Sequence, residues 1–247
     1  MACLTSVVAQ TFRPVQVIVI DDNSGDGTRD EVDRCRQSLQ QAGIELEYLR
    51  LQQNLGPSAA RNAGIRMARG TYVSFLDADD IWAAEKLAIV DAQIRDRRPG
   101  LVCHSYTDAE RFPFDTVPKS RTAEVMSIHR MLWRNPAQTS CAVIRRDLGL
   151  TFHEGMRYCE DHDLWLRIAE RAPVIRILGS PLTRLSRPQL SPGGLSGDTI
   201  RMRLGEMRVY YNFCRRSFLR RIWMLPALTL FSVAKHGYSW CRRALRQ

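Results

Sequence analysis

Apolar runs of strand length alternate with segments of helical periodicity through the first 106 residues, and this alternation constrains the fold most. Val15–Ile20, Glu45–Gln52, Tyr72–Leu76 and Leu101–Tyr106 read as strands, because Val, Ile, Tyr, Phe and Leu fit a pleated surface covered on both faces. Helices are expected over about 29–42 and 58–69, and after Asp80, where Leu87, Val90 and Ile94 recur at helical spacing up to Pro99-Gly100. Met1–Phe12 reads as the end of a helix carrying Leu4, Val7 and Val8 on one side. Such a succession specifies an α/β sheet of mostly parallel strands flanked by helices. Ligands of such sheets lie beyond the carboxyl ends of the strands, so the residues that end each run carry the functional information.

Two of these ends are acidic. The first strand stops in Asp21-Asp22-Asn23-Ser24-Gly25-Asp26-Gly27-Thr28, and the third in Asp77-Ala78-Asp79-Asp80. Carboxylates packed this closely resist ionising together unless a cation or hydrogen-bond donors compensate. A divalent metal carrying an anionic substrate is one such compensator, since Mg²⁺ binds through one or two carboxylates plus substrate phosphates. A solvated turn, with Asp77 or Asp79 capping the next helix, is the plainer alternative. Within the second cluster Asp80 is assigned to the helix cap. Downstream, Glu160-Asp161-His162-Asp163 opens an apolar-faced helix, where carboxylates favour the positive helix end whether or not they do chemistry. His162 has no Cys or His at zinc-ligand spacing.

Charge and cysteine usage exclude several classes. The net charge of +10 belongs to residues 200–247, which hold eleven Lys or Arg against one acid, Glu206. Residues 1–199 are neutral overall, so the catalytic-looking part is not a basic nucleic-acid-binding body. Cysteines stand at 3, 35, 103, 141, 159, 214 and 241, without a C-x-x-C pair and in odd number, which argues for a reducing, cytoplasmic setting.

Five motifs, in order, resemble those of family 2 glycosyltransferases with the Rossmann-like GT-A fold. They are Gln10-Thr11-Phe12, Val17–Ser24, Asn54-Leu55-Gly56-Pro57-Ser58-Ala59-Ala60-Arg61-Asn62-Ala63-Gly64, Phe75–Asp80 with Trp82, and Glu160–Arg167. The resemblance implies that Asp22, with Asp21 beside it, accepts a hydrogen bond from the donor nucleobase. It further implies that Asp79 ligates Mg²⁺ or Mn²⁺, that Asp77 faces the donor's ribose or sugar, and that Arg61 frames the donor site. Asp161 would be the catalytic base and Glu160 its acceptor-side or structural companion. The implied activity is inverting transfer from a nucleotide sugar, a UDP-sugar by expectation, to a lipid-linked or polysaccharide acceptor, as in bacterial exopolysaccharide or lipopolysaccharide synthesis.

Two departures accompany the resemblance. The family's opening strand and loop are missing ahead of Gln10-Thr11-Phe12, which would leave strand edges and apolar surface uncovered. Thr183-Arg184-Leu185-Ser186 stands where many relatives carry Tyr-Arg-x-His. The rival readings are a sugar nucleotidyltransferase and an inactive, truncated, membrane-associated remnant.

The expected organisation is a transferase domain over 1–187, with a donor half of about 1–106 and an acceptor half of about 107–187. A linker and basic helices fill 188–247. The apolar run Ile222–Ala234 is short of the roughly 20 residues needed to cross a bilayer. With Trp223, Trp240 and flanking Arg215, Arg216, Arg220, Arg221, Lys235, Arg242 and Arg243, it suits an interfacial helix on anionic lipid, and hence peripheral attachment to the inner face of the plasma membrane. A core-packed helix with a solvated basic face is the alternative.

Overall fold

The structure is a computed structural model that describes residues 2–14, 16–108, 122–179, 181–186, 197–217, 219–232 and 234. Helix α1 (Ala2–Val8) leads into β1 (Gln16–Asp21), α2 (Thr28–Gln41), β2 (Glu45–Arg50), α3 (Pro57–Met67) and β3 (Tyr72–Ser74). Then follow β4 (Ile81–Trp82), α4 (Lys86–Arg97), β5 (Leu101–Cys103), β6 (Tyr106–Asp108), β7 (Ala123–Met126), α5 (Ile128–Trp133) and β8 (Ala142–Arg145). The chain continues with α6 (Glu160–Ala169), β9 (Val174–Ile177), β10 (Thr183–Leu185) and α7 (Thr199–Cys214), and a helical stretch over 219–232 contains a π-helical turn, Arg220–Met224.

Among the described residues the strands form three sheets, ordered β1-β2, β4-β10-β6 and β3-β8-β5-β9-β7. They are mixed. β1 with β2, β5 with β9, and β6 with β10 run parallel, while β3–β8, β5–β8, β7–β9 and β4–β10 are antiparallel. Antiparallel pairing is therefore more prominent than the alternation alone suggests. The irregular middle of the chain supplies it, because β8 returns between β3 and β5. The run Leu101–Tyr106 also divides: β5 stays in the large sheet, and β6 joins β10 in the small one.

Among the described residues β1 pairs only with β2, and β3 only with β8. Val17, Ile18, Val19 and Ile20 are accordingly half-buried, although their composition is that of a covered central strand. Among the described residues β3 is therefore an edge strand of the five-stranded sheet, and β1 and β2 form a two-stranded one.

Packing follows from the apolar faces. The main core gathers Phe75, Phe152, Leu164, Trp165 and Ile168 with Val209, Tyr210 and Phe213 of α7. Trp165 is fully buried, stands edge-on to Phe152 at 6.0 Å, and donates its indole N–H to the Ala137 carbonyl at 3.2 Å, so the ring is buried without an orphaned donor. Each such large side chain contributes roughly 1.5–3 kcal/mol through burial.

Asp80 does not cap a helix. It precedes β4, and α4 begins only at Lys86 after Glu85. Two motif residues prove to be clamps. Gln10 donates to the carbonyls of Ser6 (3.0 Å) and Ala83 (2.8 Å) and accepts from the Leu87 N–H (3.0 Å), fastening α1 to the segment behind the acidic loop. Asn62 accepts from the Phe152 N–H at 2.8 Å and donates to its carbonyl at 2.9 Å, joining α3 to the segment ahead of α6.

Candidate active site

The acidic loop after β3 exists because that strand is short. Its ladder to β8 ends at Ser74 opposite Val143, and the chain then turns, with the Asp80 N–H bonded to the Asp77 carbonyl at 3.0 Å. The three carboxylates diverge from this turn. Asp77 faces Arg61, whose Nη2 lies 3.0 Å from Oδ1 and 3.3 Å from Oδ2. Asp79 is exposed and accepts from the Ser186 hydroxyl at 2.7 Å. Asp80 turns inward, accepts from the Ser186 N–H at 3.2 Å, and is pushed up to about 6, chiefly by burial.

A second group comes from α6. Cys159, at φ 57°, makes the sharp entry into the helix and places three acids in its first turn, where unpaired helical N–H groups favour negative charge. Asp161 Oδ1 accepts from the His162 N–H at 2.7 Å, and Oδ2 accepts from the Asn135 amide at 3.0 Å. Glu160 accepts from Arg61 Nη1 at 3.1 Å. Burial, and then the Asp161 charge, push the Glu160 carboxyl up to about 7, with the Arg61 charge opposing them. His162 is buried against the Met131 carbonyl and Asp163 holds Arg167 and Asn212, so these two anchor the helix.

Arg61 joins the two groups. Burial draws its guanidinium pKa down, but the charges of Asp77 and Glu160 outweigh burial and the net shift is upward. One side chain thereby holds the β3 loop and the start of α6, elements about 80 residues apart, at a common point. Separately, Asp22 accepts the N–H groups of Leu55 and Gly56, both at 2.7 Å, and so fixes the entry to α3 on which Arg61 rides. Asp21 is buried and accepts from the Ser24 N–H at 2.7 Å and the Tyr48 hydroxyl at 2.6 Å. Burial raises its pKa, but these hydrogen bonds and Arg50 leave it lowered overall. Its observed contacts stabilise the turn.

Four contributors escape the sequence reading. Ser186, inside the segment that departs from the family pattern, touches both Asp79 and Asp80. Asn135, in a loop ahead of the irregular middle strand, reaches Asp161. Ser140 Oγ accepts the Asp77 N–H at 3.0 Å, while its carbonyl accepts from Lys86, Trp82 and Thr183, each at 3.1 Å. Lys86 is fully buried, and burial holds its ammonium pKa well below the usual lysine range. Neither their residue types nor their spacing carries a signal that would single them out.

The donor set fits a divalent cation completed by its substrate. Among the described residues no group of three or more His, Cys, Asp or Glu side chains is arranged as a metal site, and Asp79 presents one exposed carboxylate. An ion bound through one carboxylate and a diphosphate needs no more protein ligands than that.

Comparison with known proteins gives a consistent picture. The sequence pattern of Glycosyl transferase family 2 matches residues 2–157. The Escherichia coli UDP-Glc:alpha-D-GlcNAc-diphosphoundecaprenol beta-1,3-glucosyltransferase WfgD is 26% identical over 241 residues, covering 97% of this chain and 90% of that protein. The putative teichuronic acid biosynthesis glycosyltransferase TuaG of Bacillus subtilis is 38% identical over 82 residues, covering 33% of this chain and 31% of its own length. In structure, the S. aureus TarS fragment 1–349 in complex with UDP superposes with a TM-score of 0.63 at 20% identity, covering 87% of this chain and 65% of that one. The mannosyltransferase PcManGT from Pyrobaculum calidifontis, in complex with GDP-Man and Mn²⁺, also gives 0.63, at 19% identity over 94% of this chain and 68% of its own. The structural likenesses establish the mixed α/β fold of GT-A glycosyltransferases.

Proposed function

The chain belongs to glycosyl transferase family 2, and from that premise we propose that it is an inverting, cation-assisted transferase moving a sugar from a UDP-sugar to a lipid-linked or polysaccharide acceptor. The observation that carries this reading is the single Arg61 guanidinium bonded to both Asp77 and Glu160. It brings an acidic loop suited to a nucleotide diphosphate within one side chain's reach of a carboxylate pair suited to an acceptor hydroxyl.

In this reading Asp161 takes the proton of the acceptor hydroxyl as that oxygen attacks the anomeric carbon. The bond from that carbon to the diphosphate breaks on the opposite face, so the configuration inverts and the nucleoside diphosphate leaves with the bonding pair. Asn135 and the His162 N–H fix the Asp161 oxygens for the transfer. Asp22 and Asp77 bind the donor, with Asp21 holding the turn and Arg61 orienting Asp77. Mg²⁺ or Mn²⁺ on Asp79 would supply neutralisation of the leaving diphosphate. UDP is favoured as the donor nucleotide by the ligands of TarS and the name of WfgD, and a lipid diphosphate acceptor by the latter. The positive excess of the C-terminal segment supports attachment to the cytoplasmic face of an anionic membrane, where such acceptors reside.

The test is transfer or donor hydrolysis screened across nucleotide sugars with Mn²⁺, comparing Asp79→Asn and Asp161→Asn. Asp79→Asn should lose cation-dependent turnover, and Asp161→Asn should lose transfer while still binding donor. Full turnover by either variant overturns the roles given to those residues.

A further inference from the structure

The last described part of the chain is packed on one face and uncovered on the other. Helix α7 buries Gly205, Glu206, Val209, Tyr210 and Phe213 against the core, and Leu228 and Ser232 of the following stretch are buried as well. Opposite them, Ile200, Leu204, Met207 and Tyr211 are all exposed. These positions recur at i, i+4, i+7 and i+11, which at about 100° per residue confines them to one narrow stripe. Arg201, Arg208 and Arg215, also exposed, recur every seventh residue and form a row alongside it. Over 219–232 the pattern repeats: Leu219, Ile222, Trp223 and Leu230 share one exposed side, with Trp223 at 75%. Expectation from sequence put the apolar surface in the second segment alone and read α7 simply as basic. The outer stripe of α7 is the new observation.

We infer that the outer faces of α7 and of 219–232 together form a docking surface for an anionic lipid bilayer, lying on it with the apolar stripes inserted and the arginine row at the headgroups. This deepens the membrane reading proposed above, rests on it, and names the face. Charge selects the occupant. From residue 200 onward the one acid is Glu206 against eleven Lys or Arg; it is buried and bonded to Ser232 Oγ and Arg203, while Asp198, just ahead of α7, pairs with Arg201 at 3.3 Å, so the segment keeps a large positive excess. Arg208, exposed, donates to the Gly155 carbonyl at 2.7 Å, and no acid pairs with it among the described residues. A second copy laid on this face would set arginine row against arginine row, whereas anionic headgroups complement it. No helix among the described residues is long and apolar enough to cross a membrane.

The geometry also ties this surface to the catalytic carboxylates. A Cβ at Gly205 would sit 2.7 Å from the Tyr158 carbonyl oxygen, and Cys159 Sγ contacts the Met202 carbonyl at 3.6 Å. Tyr158 and Cys159 immediately precede Glu160 and Asp161. A bilayer holding α7 therefore holds the opening of α6 at a fixed height, which suits an acceptor presented from the lipid.

Co-sedimentation of the full chain with vesicles of phosphatidylcholine alone, or mixed with phosphatidylglycerol, tests this. Binding should require the anionic lipid and weaken with salt. Leu204→Ser/Tyr211→Ser, and separately Trp223→Ser, should each lower partition at least about tenfold, since every residue withdrawn forfeits the burial of a large apolar side chain. Unfolding transitions and transfer to a short-chain, water-soluble acceptor should stay as in the wild type. Equal binding to both vesicle types, no binding, or wild-type partition by Leu204→Ser/Tyr211→Ser overturns the inference. So does a concentration-dependent dimer that the same substitutions dissolve, which would give the face to a second copy. Loss of sugar transfer with vesicle binding intact would sink the transferase reading alone, and the converse would sink the docking surface alone.

Discussion

Replacing Arg61 with methionine isolates what the shared guanidinium does for Glu160. In the wild type, Glu160 has a side-chain exposure of 12% and titrates at about 7, against 4.5 for the unperturbed group. Between those values the native state holds a proton that the unfolded state has released, so stability falls as pH rises through the interval. Above about 7 the wild-type carboxylate ionises in place, because Arg61 offsets the Asp161 charge, and the decline stops. Without Arg61 the Glu160 pKa rises further, the decline continues, and each additional pH unit costs about 1.4 kcal/mol until the new value is passed. The variant's extra destabilisation from this source should therefore be near zero at about pH 6 and about 1.4 kcal/mol at about pH 8. A pH-independent loss accompanies it. Asp77 is 44% exposed, so its ion pair is screened and adds no more than about 1 kcal/mol. Contact of the guanidinium with the Phe152 ring, 5.5 Å away, adds about 0.5–1 kcal/mol that methionine partly restores. Urea unfolding of both proteins across this pH range measures the difference. A gap between variant and wild type that stays constant from about pH 6 to about pH 8 refutes the assignment of Arg61 as the counter-charge of Glu160.

Three further perturbations follow from the packing. Gly205→Ala sets a methyl group 2.7 Å from the Tyr158 carbonyl oxygen and 2.8 Å from its Cβ, and should lower stability by about 1–3 kcal/mol in thermal unfolding. Asn135→Ala removes the amide bonded to Asp161 and should cost transfer about 10–100-fold while changing stability by only about 1 kcal/mol. Lys86→Met should make the protein more stable at neutral pH, because the lysine pKa is lowered by burial and folding must strip its proton or bury its charge. That gain should shrink as pH rises toward about 10, where the unfolded lysine also becomes neutral, and equal gains in neutral and alkaline buffer would refute it.

The parts of the fold legible in sequence are those with period. Helices α2, α3 and α4 fall where the apolar spacing puts them, since each buries one stripe: Val32 and Leu39 in α2, Ile89 and Val90 in α4. Strand direction is not periodic. The antiparallel insertion of β8 between β3 and β5 depends on a long return through the irregular middle, and nothing in Ala142–Arg145 announces it. For the site, the acids were visible because clustered like charges are costly and demand explanation. Their partners were not. Ser186, Asn135, Ser140 and Lys86 are ordinary residue types whose role comes from being brought across the fold to an acid, and the divergence of Asp77, Asp79 and Asp80 onto three separate partners is a property of the turn. Part of the reading of the tail, on Lys235, Trp240, Arg242 and Arg243, lies outside the described residues, as does most of the expected linker at 188–197.

The contacts around the acidic loop also differ in how much chain each must close. Arg61 and Asp77 stand 16 residues apart, while the hydroxyl of Ser186 reaches Asp79 across 107. Closing the longer loop costs about 1.7 kcal/mol more in chain entropy for a hydrogen bond of similar kind. In partial unfolding the short closure therefore outlasts the long one, and exchange of protons at the Ser186 N–H should be faster than in the α3 backbone. The site is thus graded: the Arg61–Asp77 contact is closed by local chain, whereas Arg61–Glu160 and Ser186–Asp79 each close about a hundred residues and are the first to open.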